Sequence, residues 1–163
     1  GPADAAACAH WLVEIKNRGR IVIDDKQRIL REYRNNLSES GQPGIGDEFF
    51  RWVLSVTADT KHCVSVSIAA KLGKTEDYAE FPVDARLSGV DPADKKFIAV
   101  SAATHPHPVI GEASDSKWWG WKEALEDHGV HVEFLCEDYI RQKYIEKMGT
   151  APSGVSDKID DLA

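Results

Sequence analysis

The stretch DPADKKFIAVSAATHPHPVIGEASDSKWWGWKEALEDHGVHVEFL, residues 91–135, decides the fold. Its pattern predicts a helix from Pro92 to about Ala103, a strand near Val109–Ala113, a helix from Ser116 to about His128, and a strand from Val130 to Leu135. The order is α, β, α, β. Parallel strands need crossover connections of this kind, and the helices that make them cover the faces of the sheet.

Working outward, Ile21, Val22 and Ile23 are consecutive β-branched residues, as in a strand buried on both faces, and Asp24 or Asp25 can cap the helix that follows. That helix runs to about Asn36 with Ile29, Leu30, Tyr33 and Leu37 as its apolar stripe. Before it, residues 4–18 read as a helix with Ala7, Trp11, Leu12 and Ile15 on one face and Gly19 as its stop. After it, Ser38–Gly46 reads as a loop, and a further amphipathic helix begins near Asp47. His62–Ile68 alternates as a short strand, and residues 69–90 read as a long excursion anchored by Phe81, Pro82 and Leu87. A last helix spans about Glu137–Lys147. The whole predicts an α/β fold, a mostly parallel central sheet with helices on both faces.

Composition fits one domain of residues 1–148 and a disordered polar tail over 149–163. The chain of 163 residues can bury a core without metal or disulfide staples. No apolar run approaches the roughly 20 residues of a membrane span. The three cysteines, Cys8, Cys63 and Cys136, are odd in number and widely spaced, which favours reduced thiols in a cytoplasmic protein. A formal charge of −7 argues against binding nucleic acid by bulk electrostatics, although it leaves room for a nuclease whose carboxylates hold cations. The basic run Lys16, Arg18, Arg20, Lys26, Arg28, Arg31 and Arg34 has two readings, a solvated helix face or a phosphate-contacting rim.

Four acids stand at element boundaries or beside them: Glu32, Asp91, Asp94 and Asp115. Taken singly, Asp94 and Asp115 read as helix caps and Glu32 as an ion-pair partner among arginines. Taken together, carboxylates that meet in one cleft need protons or a divalent cation. Trp118 and Trp121 share a helical face suited to the core. Trp119 diverges from them and reads as a surface for stacking bases. His105 and His107, set among prolines, read as an exposed turn.

The pieces IVIDDKQRILREYRNNL (21–37), DPADKKFIAVSAA (91–103) and VIGEASDSKWW (109–119) give the chain a resemblance, over residues 20–135, to the PIN domain, a family of metal-dependent ribonucleases of Rossmann-like or flavodoxin-like topology. The resemblance implies a three-layer sandwich and an endoribonuclease that hydrolyses RNA phosphodiesters with Mg2+ or Mn2+. It implies Glu32, Asp94 and Asp115 as catalytic metal ligands, with Asp91 as a weaker ligand or a supporting charge. Ser114 matches a small hydroxyl residue common at that place in the family and reads as a substrate contact, and Lys117, Arg28 and Trp119 join it on their charge and aromatic character. It further implies an RNA substrate, the toxin or defence roles known in the family, an inhibitory protein partner and self-association.

Two departures accompany it. The family's opening strand, which ends in an Asp ligand, is not visible here, since Asp4 follows only Gly1, Pro2 and Ala3 and reads as a helix cap. Lys117 stands where many relatives carry another acid. These leave a second expectation, a PIN-like module that binds protein or RNA without catalysis. A third, a receiver-like or phosphatase-like domain, would use Asp24 or Asp25 as its nucleophile.

Overall fold

A computed structural model of the chain describes residues 2–42, 44–113 and 115–149. In chain order the elements are α1 (Pro2–Arg18), β1 (Ile21–Asp24), α2 (Arg28–Asn36), α3 (Ile45–Val56), β2 (Cys63–Val66), α4 (Lys95–Ala103), β3 (Ile110–Glu112), α5 (Lys117–Asp127), β4 (Val132–Phe134) and α6 (Glu137–Met148). Short 3-10 turns at Ala85–Leu87 and Pro92–Asp94 punctuate the connection from β2 to α4. The chain is therefore mixed α/β, and the elements read from residues 91–135 stand within three residues of their expected places. The expected polar tail lies, apart from Gly149, outside the described residues.

Both ladders are parallel. β1 pairs with β2 from Ile21 opposite Cys63 to Asp24 opposite Val66, and β3 pairs with β4 from Ile110 opposite Val132 to Glu112 opposite Phe134. Among the described residues these are two separate two-stranded sheets, where the sequence pattern predicts one central sheet. The reason lies between them. A groove of about 790 Å3 is lined by β1 and β3 but by no residue of β2 or β4. Cys8, Trp11, Leu12 and Ile15, at helical spacing along α1, line the same groove. The Trp11 ring lies so close over Gly111 that a Cβ there would stand 2.4 Å from it, so only glycine fits.

α4 holds the two halves together. Its sequence KKFIAVSAA places consecutive apolar residues around most of the helix, the pattern of a helix buried on several sides. Ile98 packs with Leu87, the three tryptophans of α5, Val132 and Ile140. Ala99 and Val100 pack instead with Ile23, Ile29, Phe50 and Val53. Phe97 touches both groups. The helix contacts β1 on one side and β3 on the other.

At the end of β1, Asp24 is fully buried and its carboxylate accepts the backbone N–H groups of Arg28 and Ile29, each at 2.9 Å. It thus satisfies free amides at the start of α2, the capping role expected of it. A carboxylate so enclosed has no open face for a phosphoryl acceptor, which removes Asp24 as the nucleophile of a receiver-like domain. The 69–90 excursion is tied down by buried Tyr78, Leu87 and Val90 and by packing of Phe81, as the sequence expects for its anchors. Cys63 and Cys136 are buried and Cys8 is half-buried, and the three form no disulfide with one another. Among the described residues no helix is long and apolar enough to cross a membrane.

Candidate metal centre

Three of the four grouped acids converge. Asp91, Asp94 and Asp115 each offer a carboxylate oxygen, and the three oxygens lie within 4.8 Å of one another. The convergence follows from the local chain. Pro92 fixes the first position of a tight turn, and the Asp94 amide donates to the Asp91 carbonyl at 2.9 Å, so two side chains three residues apart emerge from one turn. Asp115 arrives from the other side, where β3 passes into α5.

The sequence alone makes Asp94 and Asp115 helix caps. Asp94 does precede α4, yet its side chain makes no capping hydrogen bond. Burial and the neighbouring charges of Asp115, Asp91 and Glu112 push its carboxyl up from 3.8 to about 6, with Lys96 opposing them. Asp115 does act as a turn-former, accepting the Lys117 amide at 3.0 Å, and its own amide donates to Glu112 at 2.8 Å. Asp91 pairs with the Lys117 ammonium at 2.9 Å, and that contact raises the lysine's affinity for its proton. Lys117 is thus the cation already resident beside the cluster.

Glu32 does not join the other acids. Its carboxylate takes the Lys96 ammonium at 3.0 Å, and Lys96, only 4% exposed, also donates to the Ala93 carbonyl at 2.6 Å. An ammonium withdrawn from water needs a counter-ion, and Glu32 supplies it. In place of a contact with the other acids, Glu32 makes an ion pair that ties α2 to α4. Trp119 is also corrected. Expected as an exposed stacking surface, it is 3% exposed and meets the Phe134 ring edge-on at 5.2 Å. The cause is the width of the α5 apolar face, which buries Trp118, Trp119 and Trp121 together.

Of the remaining substrate contacts, Arg28 lines a cleft of about 340 Å3 between α2 and the 70–78 segment, while Ser114 lies outside the described residues. Exposed Lys117 remains free to turn toward a ligand at the cost of its pairing with Asp91.

The sequence reading missed Glu112 and Lys96. The signal for Glu112 was present, since it ends the apolar strand VIGE, the position where side chains of a parallel sheet reach a ligand. Nothing in the sequence distinguishes Lys96 from its neighbour Lys95, because its burial depends on which face of α4 meets Glu32. No family model, curated protein or solved structure matches the chain.

Proposed function

We propose that the chain is a divalent-metal-dependent phosphodiesterase of the PIN kind, cutting RNA at the centre formed by Asp91, Asp94 and Asp115. The carrying observation is the mutual approach of these three carboxylates to within 4.8 Å. Like charges that close are unfavourable without a proton or a cation, and they add to burial, the larger cause, in raising the affinity of Asp94 for its proton. An all-oxygen donor set with room for water suits Mg2+ or Mn2+ better than a softer metal. A bound ion of this kind supplies an activated water and neutralises charge on a phosphodiester.

The chain's own groups have separable duties in this reading. Asp94 and Asp115 hold the cation, and Glu112 fixes the backbone of Asp115 through its amide. Asp91 would share its charge between a bound cation and Lys117, and Lys117, exposed beside the cluster, would be placed to contact a substrate phosphate. Glu32 keeps Lys96 in place beside Asp94 and binds no metal.

The same reading gives the fold its finer form. The two ladders are halves of one parallel sheet, in the order β2, β1, an intervening place, β3, β4, with helices over its faces. Support comes from the backbone. The amides of Ile21 and Ile110 donate to His62 and His131 within the ladders. Successive residues of a parallel strand turn their polar groups to opposite edges, so Val22 and Gly111 present theirs away from β2 and β4. Both residues line the groove.

The test is cleavage of a labelled RNA with Mg2+ or Mn2+, with and without chelator, for the parent chain, Asp94→Asn and Asp115→Asn. Metal-dependent cleavage that falls by roughly 100-fold or more in both variants is expected. Cleavage that survives both substitutions, or that needs no metal, would sink the assignment. A second reading, a PIN-like module that binds RNA or protein without catalysis, is favoured by one observation: lysines already neutralise Asp91 and Glu32. RNA binding with no heat of Mn2+ binding in calorimetry would select it.

A further inference from the structure

The basic residues of α2 do not all face open solvent. Arg28, Arg31, Glu32 and Asn35 follow the i, i+3, i+4, i+7 spacing of one helical face, and that face lines the 340 Å3 cleft opposite the 70–78 segment. Lys74, Thr75 and Glu76 form the far wall, Tyr78 part of the lining, and Lys96 closes it on the side of the acid cluster. Four cations therefore meet two carboxylates in this cleft. Lys96 and Glu32 satisfy each other and Arg28 faces Asp24, which leaves Arg31 and Lys74 opposite Glu76.

Arg28 is held ready. Its guanidinium lies over the Tyr78 ring at 5.2 Å, and its Nη1, shielded from water, stands 3.6 Å from the Asp24 carboxylate without a hydrogen bond. Nη1 is turned to Asp24, so the guanidinium is anchored from behind, and its other N–H groups form the part of the planar fork that suits a phosphate oxygen. The rest of the chain is net negative, so a polyanion is attracted only where cations gather locally.

We infer that this cleft between α2 and the 70–78 segment binds the phosphodiester backbone of single-stranded RNA, guiding it past Lys96 to the carboxylate cluster. Arg31 and Lys74 are exposed contacts that grip phosphates, Asn35 adds an amide donor, and Arg28 is the anchored member of the set. This inference rests on the proposed nuclease function, and it assigns the contacts that position the strand.

The experiment measures affinity for a fluorescent single-stranded RNA by anisotropy, in chelator so that nothing is cut, across a salt series. The parent chain is compared with the double variant Arg31→Gln with Lys74→Gln. A charge-matched control, Arg34→Gln with Lys143→Gln, removes cations that pair with Glu39 and Glu146 elsewhere. The cleft variant is expected to bind at least about tenfold more weakly, with a salt slope shallower by about 1.4 for two lost single-strand contacts, while the control stays within about twofold. Equal losses in both variants, or none in the cleft variant, would overturn the cleft while leaving metal-dependent cleavage by the parent intact. A parent chain that neither binds nor cuts RNA would overturn the cleft and the proposed function together.

Discussion

Asp94 is the residue where the chemistry of the site and the stability of the fold meet. Its carboxyl titrates near 6 in the folded chain against 3.8 ordinarily, because burial and then Asp115, Asp91 and Glu112 disfavour the charged form. Below about pH 4 the folded and unfolded chains both carry the proton, and the fold has its full stability with respect to this group. As the pH rises from about 4 to 6, the unfolded chain releases the proton first and the folded chain holds it, so stability falls across that window and levels off above it. Metal-free protein should therefore show a urea midpoint with a component that declines from pH 4 to 6.5 and is missing in Asp94→Asn. Mn2+ should restore the midpoint above pH 6, where the carboxylate is free to bind it, and have little effect at pH 4.5. An Asp94→Asn profile parallel to that of the parent would show that the cluster does not strain this carboxyl.

At the scale of elements, the pairing of α2 with α4 is held by Glu32 and Lys96, which sets Glu32 apart from the three clustered acids. Glu32→Gln keeps the shape but withdraws the counter-ion from an almost buried ammonium, which costs about 3 kcal/mol when a buried pair is broken from one side and less to the extent that Glu32, one-third exposed, is screened. A loss of about 1–3 kcal/mol in urea unfolding is therefore expected, with Mn2+ affinity unchanged in calorimetry. A tenfold or greater loss of Mn2+ affinity in a variant of undiminished stability would return Glu32 to the ligand set. The sequence grouped Glu32 with the other acids for a physical reason. Periodicity fixes which face of a helix is apolar, so α2, α4 and α5 were legible to within a few residues. It does not fix which polar residue on the rim of that face meets which partner across 64 positions of chain. Trp119 was misread for a related reason. Helical spacing separated it from Trp118 and Trp121, but the packing of β4 and α6 against α5 widened the buried face to include it. Asp91, Asp94 and Asp115 were legible because turn chemistry and the strand-to-helix passage are local.

For the whole molecule, the alternation of helix and strand announced parallel pairing, and both ladders are parallel. Which strands become neighbours depends instead on contacts between segments far apart in sequence, and here β1 and β3 leave a groove between them with Trp11 seated over Gly111. The edges that face the groove are not fully buried, since Val22 is half-buried and Gly111 exposed, so water reaches their backbone polar groups. The arrangement has a direct signature in amide hydrogen exchange. Ile21 and Ile110, whose amides donate into the ladders, are expected to exchange slowly, whereas Val22 and Gly111 should exchange at least about 100-fold faster because their amides face the groove. Trp11→Ala should accelerate Val22 and Gly111 further by opening the groove to water, while Ile21 and Ile110 remain protected. If Val22 and Gly111 are as slow as their ladder-bonded neighbours, their edges are already paired and the two halves are not the separated sides of a single parallel sheet.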